Sequence, residues 1–218
     1  MTTFALVHGA WHDAWCWHRV TPLLQEAGHD AVAMNLPIDD VAASFDTYAD
    51  VVCAAIEGCG DNVIVVGHSL AGTIIPLVAA RRPVRHLVYL CAYAADIGRS
   101  LADQLAAEPE MLNAAAYAGL KNDAMSRLTW VDLGLVRELM YADCDDVTVQ
   151  AAIEHLRPQA TRGYALPCSL AEFPDVSCTS VLCVEDRMLG REWAKRVTRN
   201  RLGADLIELP GSHSPFLS

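Results

Sequence analysis

The chain has 218 residues, enough for one large domain or a domain with a modest insertion. Its formal net charge is −11, and no basic cluster is larger than the Arg-Arg-Pro-Val-Arg run at 81–85. A nucleic-acid partner or an anionic membrane surface requires a concentrated positive face, so neither class fits. No apolar run approaches the roughly 20 residues that span a bilayer.

The N-terminal stretch MTTFALVHGA carries no basic leader and no apolar segment of signal-peptide length, so a cytoplasmic location is expected. From there strand and helix patterns alternate. Continuous apolar runs at 3–8, 29–35, 62–66, 85–90, 179–184 and 204–209 predict six strands covered on both faces, as parallel strands are. Helical periodicity occupies 14–28, 45–60, 69–82 and 190–203, with Gly28, Gly60 and Gly203 placed to end three of these helices. Pro76, inside the third, removes a backbone donor and predicts a kink. Such alternation predicts an α/β fold with a doubly wound, mostly parallel six-stranded sheet.

Between about 94 and 175 the alternation stops. This segment is rich in helix formers and shows no convincing strand. It predicts a helical insertion above the carboxyl edge of the sheet, with 1–93 and 176–218 forming the core of a single structural domain. Cys16, Cys53, Cys59, Cys91, Cys144, Cys168, Cys178 and Cys183 form no Cys-x-x-Cys pair. Free thiols packed as small apolar groups are expected, with no metal.

The stretch NVIVVGHSLAG at 62–72 has the context of a nucleophile elbow: an apolar strand, a serine among small residues, then a helix. Ala71 stands where a glycine is usual and Gly72 follows one place late, so the motif by itself leaves Ser69 divided between a nucleophile and a helix cap. The remaining strand ends decide it. Glu185 and Asp186 lie at the tip of the fifth strand, Asp186 being the favoured acid, and His213 lies in the loop after the sixth. Serine, acid and histidine thus occur in the order this architecture requires. Asp39 and Asp40 are a weaker alternative acid. A backbone N–H of the His8-Gly9-Ala10 turn, after the first strand, and that of Leu70 are placed to face an oxyanion. His8 and His68 are read as shaping or lining the site, and His29, His86 and His155 as surface or structural.

With these residues in hand, the chain resembles the α/β-hydrolase superfamily, and within it the branch of plant methylesterases, plant hydroxynitrile lyases and bacterial esterase relatives. The resemblance is carried by LVHGAWHDAWCW, PLLQEAGHDAVAMNL, VIVVGHSLAG, LVRELMYADC, VLCVEDRM and ELPGSHSP, which are spread over most of the chain. It implies a Ser69–Asp186–His213 triad, an oxyanion hole from the amides of Ala10 and Leu70, residues 94–175 as a lid, and no cofactor. Lyases of this branch carry threonine at the position of Gly9 and lysine after the histidine. Gly9 and Ser214 match the esterases instead. The implied activity is hydrolysis of small hydrophobic esters, methyl esters among them, by a serine carboxylesterase. A C–C lyase or a non-catalytic ligand-binding homologue are the alternatives. Met111, Leu112, Tyr117, Met125, Trp130, Met140, Tyr141 and Phe173 are candidate pocket residues. Relatives continue past the histidine loop into a C-terminal helix. If that helix is missing, the sheet face it covers is exposed and the loop loses support.

Overall fold

The computed structural model describes all 218 residues. Its strands are β1 (Thr3–Val7), β2 (Asp30–Ala33), β3 (Val63–His68), β4 (His86–Leu90), β5 (Leu120–Asn122), β6 (Leu128–Trp130), β7 (Cys178–Cys183) and β8 (Asp205–Leu209). Six of them form one sheet in the order β2-β1-β3-β4-β7-β8, and every pairing in it is parallel. These are the six strands the apolar runs predict. Alternation of side chains explains why the runs are continuous. Leu6 on β1 joins one apolar cluster, while its neighbours Ala5 and Val7 join the other. Full burial of a side chain the size of Leu6 or Val7 contributes about 1.5–3 kcal/mol.

The helices are α1 (Val20–Glu26), α2 (Phe45–Ala55), α3 (Ile75–Ala79), α4 (Leu101–Ala107), α5 (Ala115–Ala118), α6 (Leu133–Met140), α7 (Asp146–Glu154), α8 (Arg162–Ala165) and α9 (Arg191–Val197). Residues of α1 and α9 pack on one face of the sheet, and residues of α2 and α3 on the other. Ser44 and Thr47 close a reciprocal capping box on α2. No helix is long and apolar enough to cross a membrane.

Two local expectations are corrected. The helix after β3 is not kinked at Pro76 but divided before it: a 3-10 turn spans Ser69–Thr73 and α3 starts at Ile75, with Pro76 in its first turn. There the missing donor has no partner to lose. The segment 94–175 also contains strands, since β5 and β6 pair antiparallel. Three residues each are too few to show a period in the sequence. The hairpin is anchored from afar, by paired backbone bonds between Leu128 and Gln159 and by Trp11 Nε1–H donating to Leu128 O at 3.2 Å.

Sequence order and sheet order diverge between β1 and β3: the chain leaves β1 for β2 at one edge and returns to the opposite side of β1. Crevices at the carboxyl ends of strands flanking such a switch are the habitual ligand sites of open α/β sheets. The turns after β1 and β3 both end there. At the far edge, β8 is exposed along its length, with Ile207 47% exposed.

Candidate active site

Ser69 follows β3 directly and adopts φ 52°, a left-handed conformation that costs a serine about 1–3 kcal/mol. Small neighbours make the turn feasible. A Cβ on Gly67 would lie 2.7 Å from Ile75 Cγ2 and 2.9 Å from Ala71 O, and one on Gly72 only 1.9 Å from Tyr93 O. Gly72 is therefore the glycine on which the loop after β4 rests, and Tyr93 N–H donates to Ser69 O at 3.0 Å across that contact. Ala71 is fully buried in the apolar cluster that includes residues of α2 and α3. The late glycine and the alanine before it thus each fit their packing.

The three residues expected at separate strand ends are brought together. His213 Nδ1 lies 2.9 Å from Asp186 Oδ2, and His213 Nε2 lies 3.0 Å from Ser69 Oγ. A carboxylate only accepts, so the ring proton sits on Nδ1 and the Nε2 lone pair faces the serine hydroxyl. The side chains of His213 and Asp186 are 2% and 5% exposed, and Ser69 is 8% exposed. Asp186 is fixed through Oδ1, which accepts the amides of Met188 and Leu189 at 2.8 and 2.9 Å. The arrangement can take a proton from the hydroxyl and stabilise the imidazolium that results.

The loop carrying His213 is held from beneath. Asp143 accepts from Ser212 N–H at 3.0 Å and also from the Ser212 hydroxyl. His68 Nε2–H donates to His213 O at 3.0 Å. Phe216 and Leu217 are buried, with Phe216 edge-on to His68 at 4.7 Å, and Arg19 donates to Leu217 O. The expected loss of support for this loop is not what the fold shows.

Ala10, on the turn after β1, is buried close by, and its amide donates to no backbone group. Leu70 is buried directly after the serine. Burial lowers the pKa of His8 to about 4 and of His12 to about 3, and holds His68 well below the usual imidazole range. These rings are neutral at pH 7. Among the buried histidines, His213 alone has a carboxylate partner.

Residues 4–218 match the family described as "Alpha/beta hydrolase family". The chain belongs to the alpha/beta hydrolase family. Among its relatives is the carbendazim hydrolyzing esterase of Nocardioides sp. (strain SG-4G), 32% identical over 184 residues that cover 78% of this chain and 74% of the relative. Another is the (S)-hydroxynitrile lyase of Manihot esculenta, 34% identical over 87 residues, covering 36% and 34%. In three dimensions the fold resembles polyneuridine aldehyde esterase at a TM-score of 0.84 and 21% identity, covering 100% of this chain and 94% of that one. The chain is thus an α/β hydrolase with esterases recurring among its relatives.

Other expectations divide. Glu185 is exposed while Asp186 faces His213. Asp39 pairs with Arg157 at 2.6 Å and Asp40 caps Ala42 N–H at 2.8 Å, so neither reaches the site. Met111, Leu112, Trp130, Met140 and Tyr141 pack in one apolar cluster with Ala10, Trp11 and Leu70. Tyr117 and Met125 are over half exposed, and Phe173 belongs to neither core cluster. His8 and His68 are fully buried, His8 accepting from Leu36 N–H at 3.0 Å and His68 bonded to His213 O. His12, Asp143 and Phe216 had no place in the sequence reading. The signal available for His12 was its position two residues beyond Ala10.

Proposed function

We propose that this α/β hydrolase is a serine carboxylesterase acting on small hydrophobic esters, methyl esters among them, through an acyl-enzyme on Ser69. The observation that carries the reading is the continuous bonding of Ser69 Oγ to His213 Nε2 at 3.0 Å and of His213 Nδ1 to Asp186 Oδ2 at 2.9 Å. His213 takes the hydroxyl proton as Ser69 attacks the ester carbonyl, and Asp186 holds the ring in the tautomer that permits this. The amides of Ala10 and Leu70 stabilise the oxyanion, each contributing on the order of 3 kcal/mol. His213 then protonates the departing alcohol, and water repeats the sequence to release the acid. No step calls for a cofactor.

An apolar substrate is favoured because Leu70, directly after the serine, belongs to the same apolar cluster as Trp11, Met111 and Met140. The lyase alternative needs a cation to receive the leaving anion, and Ser214 follows His213 where that lysine belongs. A Cβ on Gly9 would also meet His68 Nδ1 and Ser69 Cβ at 2.9 Å, so a threonine there requires the turn to move. A cytoplasmic setting suits a chain with eight free cysteines.

The test is a panel of methyl and p-nitrophenyl esters with native protein and Ser69→Ala. The reading expects hydrolysis of short acyl esters that the substitution removes. Cyanide release from mandelonitrile above background, without ester hydrolysis, makes the protein a lyase. Neither activity makes it a binding protein.

A further inference from the structure

Three consecutive carbonyls in the turn after β1 each have their own donor. His8 Nδ1–H donates to Gly9 O at 2.8 Å, His12 Nδ1–H to Ala10 O at 2.9 Å, and the Arg157 amide to Trp11 O at 2.8 Å. The carbonyl can only accept, so His12 carries its proton on Nδ1 and its Nε2 is an acceptor. Tyr141 Oη lies 2.9 Å from that Nε2 and supplies the proton. Tyr141 and His12 are both buried, and both polar ends of the imidazole are satisfied. An aliphatic residue would fill the same space without the cost of burying an imidazole, so packing alone does not account for His12. The turn itself is under tension, with Trp11 at φ 62°. Tyr141 directly follows α6, in the segment 94–175, and is separated from His12 by 129 positions.

We propose that His12, oriented by Tyr141, is a positioning residue. It holds the peptide following Ala10 so that the Ala10 amide stays aimed at the developing oxyanion, and the site is complete only while the segment bearing Tyr141 is docked. The assignment rests on acyl transfer at Ser69. It adds that a tyrosine touching no reacting atom governs the transition state through two hydrogen bonds.

The experiment measures kcat and KM for p-nitrophenyl acetate on the full chain and on Tyr141→Phe, His12→Phe and His12→Asn, with a thermal melt of each. Tyr141→Phe removes one oxygen and should fold. Its kcat should fall about five- to tenfold with KM within about twofold, the pattern of a contact that matters only in the transition state. His12→Phe should lose about ten- to a hundredfold in kcat. His12→Asn, whose amide N–H reaches the place of Nδ1–H, should recover most of that loss. Unchanged kcat in folded Tyr141→Phe overturns the proposal. So does a rise confined to KM, or an asparagine variant no better than the phenylalanine one. A native protein that neither hydrolyses esters nor reacts at Ser69 removes the esterase reading and this proposal together. An active native protein with indifferent variants removes this proposal alone.

Discussion

At Ser69 the backbone stores strain, the conformation that the proposed nucleophile elbow requires. Glycine relaxes a φ of 52° while alanine keeps the strain, and both delete the hydroxyl. Ser69→Gly should therefore be more stable than Ser69→Ala by about 1 kcal/mol, a rise in melting midpoint of about 2–4 °C for a chain of this size. The reverse order in a thermal melt would contradict the strained elbow. Individual residues differed in how legible they were. Ser69, Asp186 and His213 lie at strand ends, where the order of elements along the chain already gathers them. His12 was invisible because its meaning depends on Tyr141, and a pairing across 129 positions leaves no mark in local pattern. Asp143, which clamps Ser212, was hidden for the same reason.

Elements carry the site by their close approach. The turn Ser69–Thr73 rests on the loop after β4 through Gly72, where a Cβ would lie 1.9 Å from Tyr93 O. A backbone oxygen cannot step aside as a side chain does. Gly72→Ala should cost about 1–3 kcal/mol in urea unfolding and lower kcat as the elbow shifts from His213. Wild-type stability in that variant would refute the contact. The inner strands β1, β3, β4 and β7 are legible because burial on both faces writes a continuous apolar run; β8 carries such a run although it is exposed along its length, so the expected cover on both faces fails at that edge. β5 and β6 are not legible, since each has three residues and their place is fixed by Trp11 and Gln159. Pro76 implies a kink in the sequence pattern, which carries no mark of the helix beginning only at Ile75.

For the molecule as a whole, three buried neutral histidines make stability depend on pH. His8 and His12 titrate at about 4 and about 3 when folded, against 6.5 when unfolded, and His68 shifts the same way. The unfolded chain therefore binds more protons as pH falls below 6.5. The contribution of these groups is complete above that value and is lost progressively toward pH 4, by about 1.4 kcal/mol per pH unit for each. Urea unfolding at pH 7, 6 and 5 should show a steep decline, and His12→Asn should lower its slope by about one proton. An unchanged slope would show that His12 is not held neutral by burial.

Everything proposed for this site depends on Ser69 being a nucleophile activated by His213 and Asp186. The most direct measurement is reaction of native protein with a fluorophosphonate, followed by peptide mass analysis of the modified site. A single adduct should form on Ser69, abolished by Ser69→Ala and strongly slowed in His213→Ala. A folded native protein left unmodified, or modified at another residue, would contradict it.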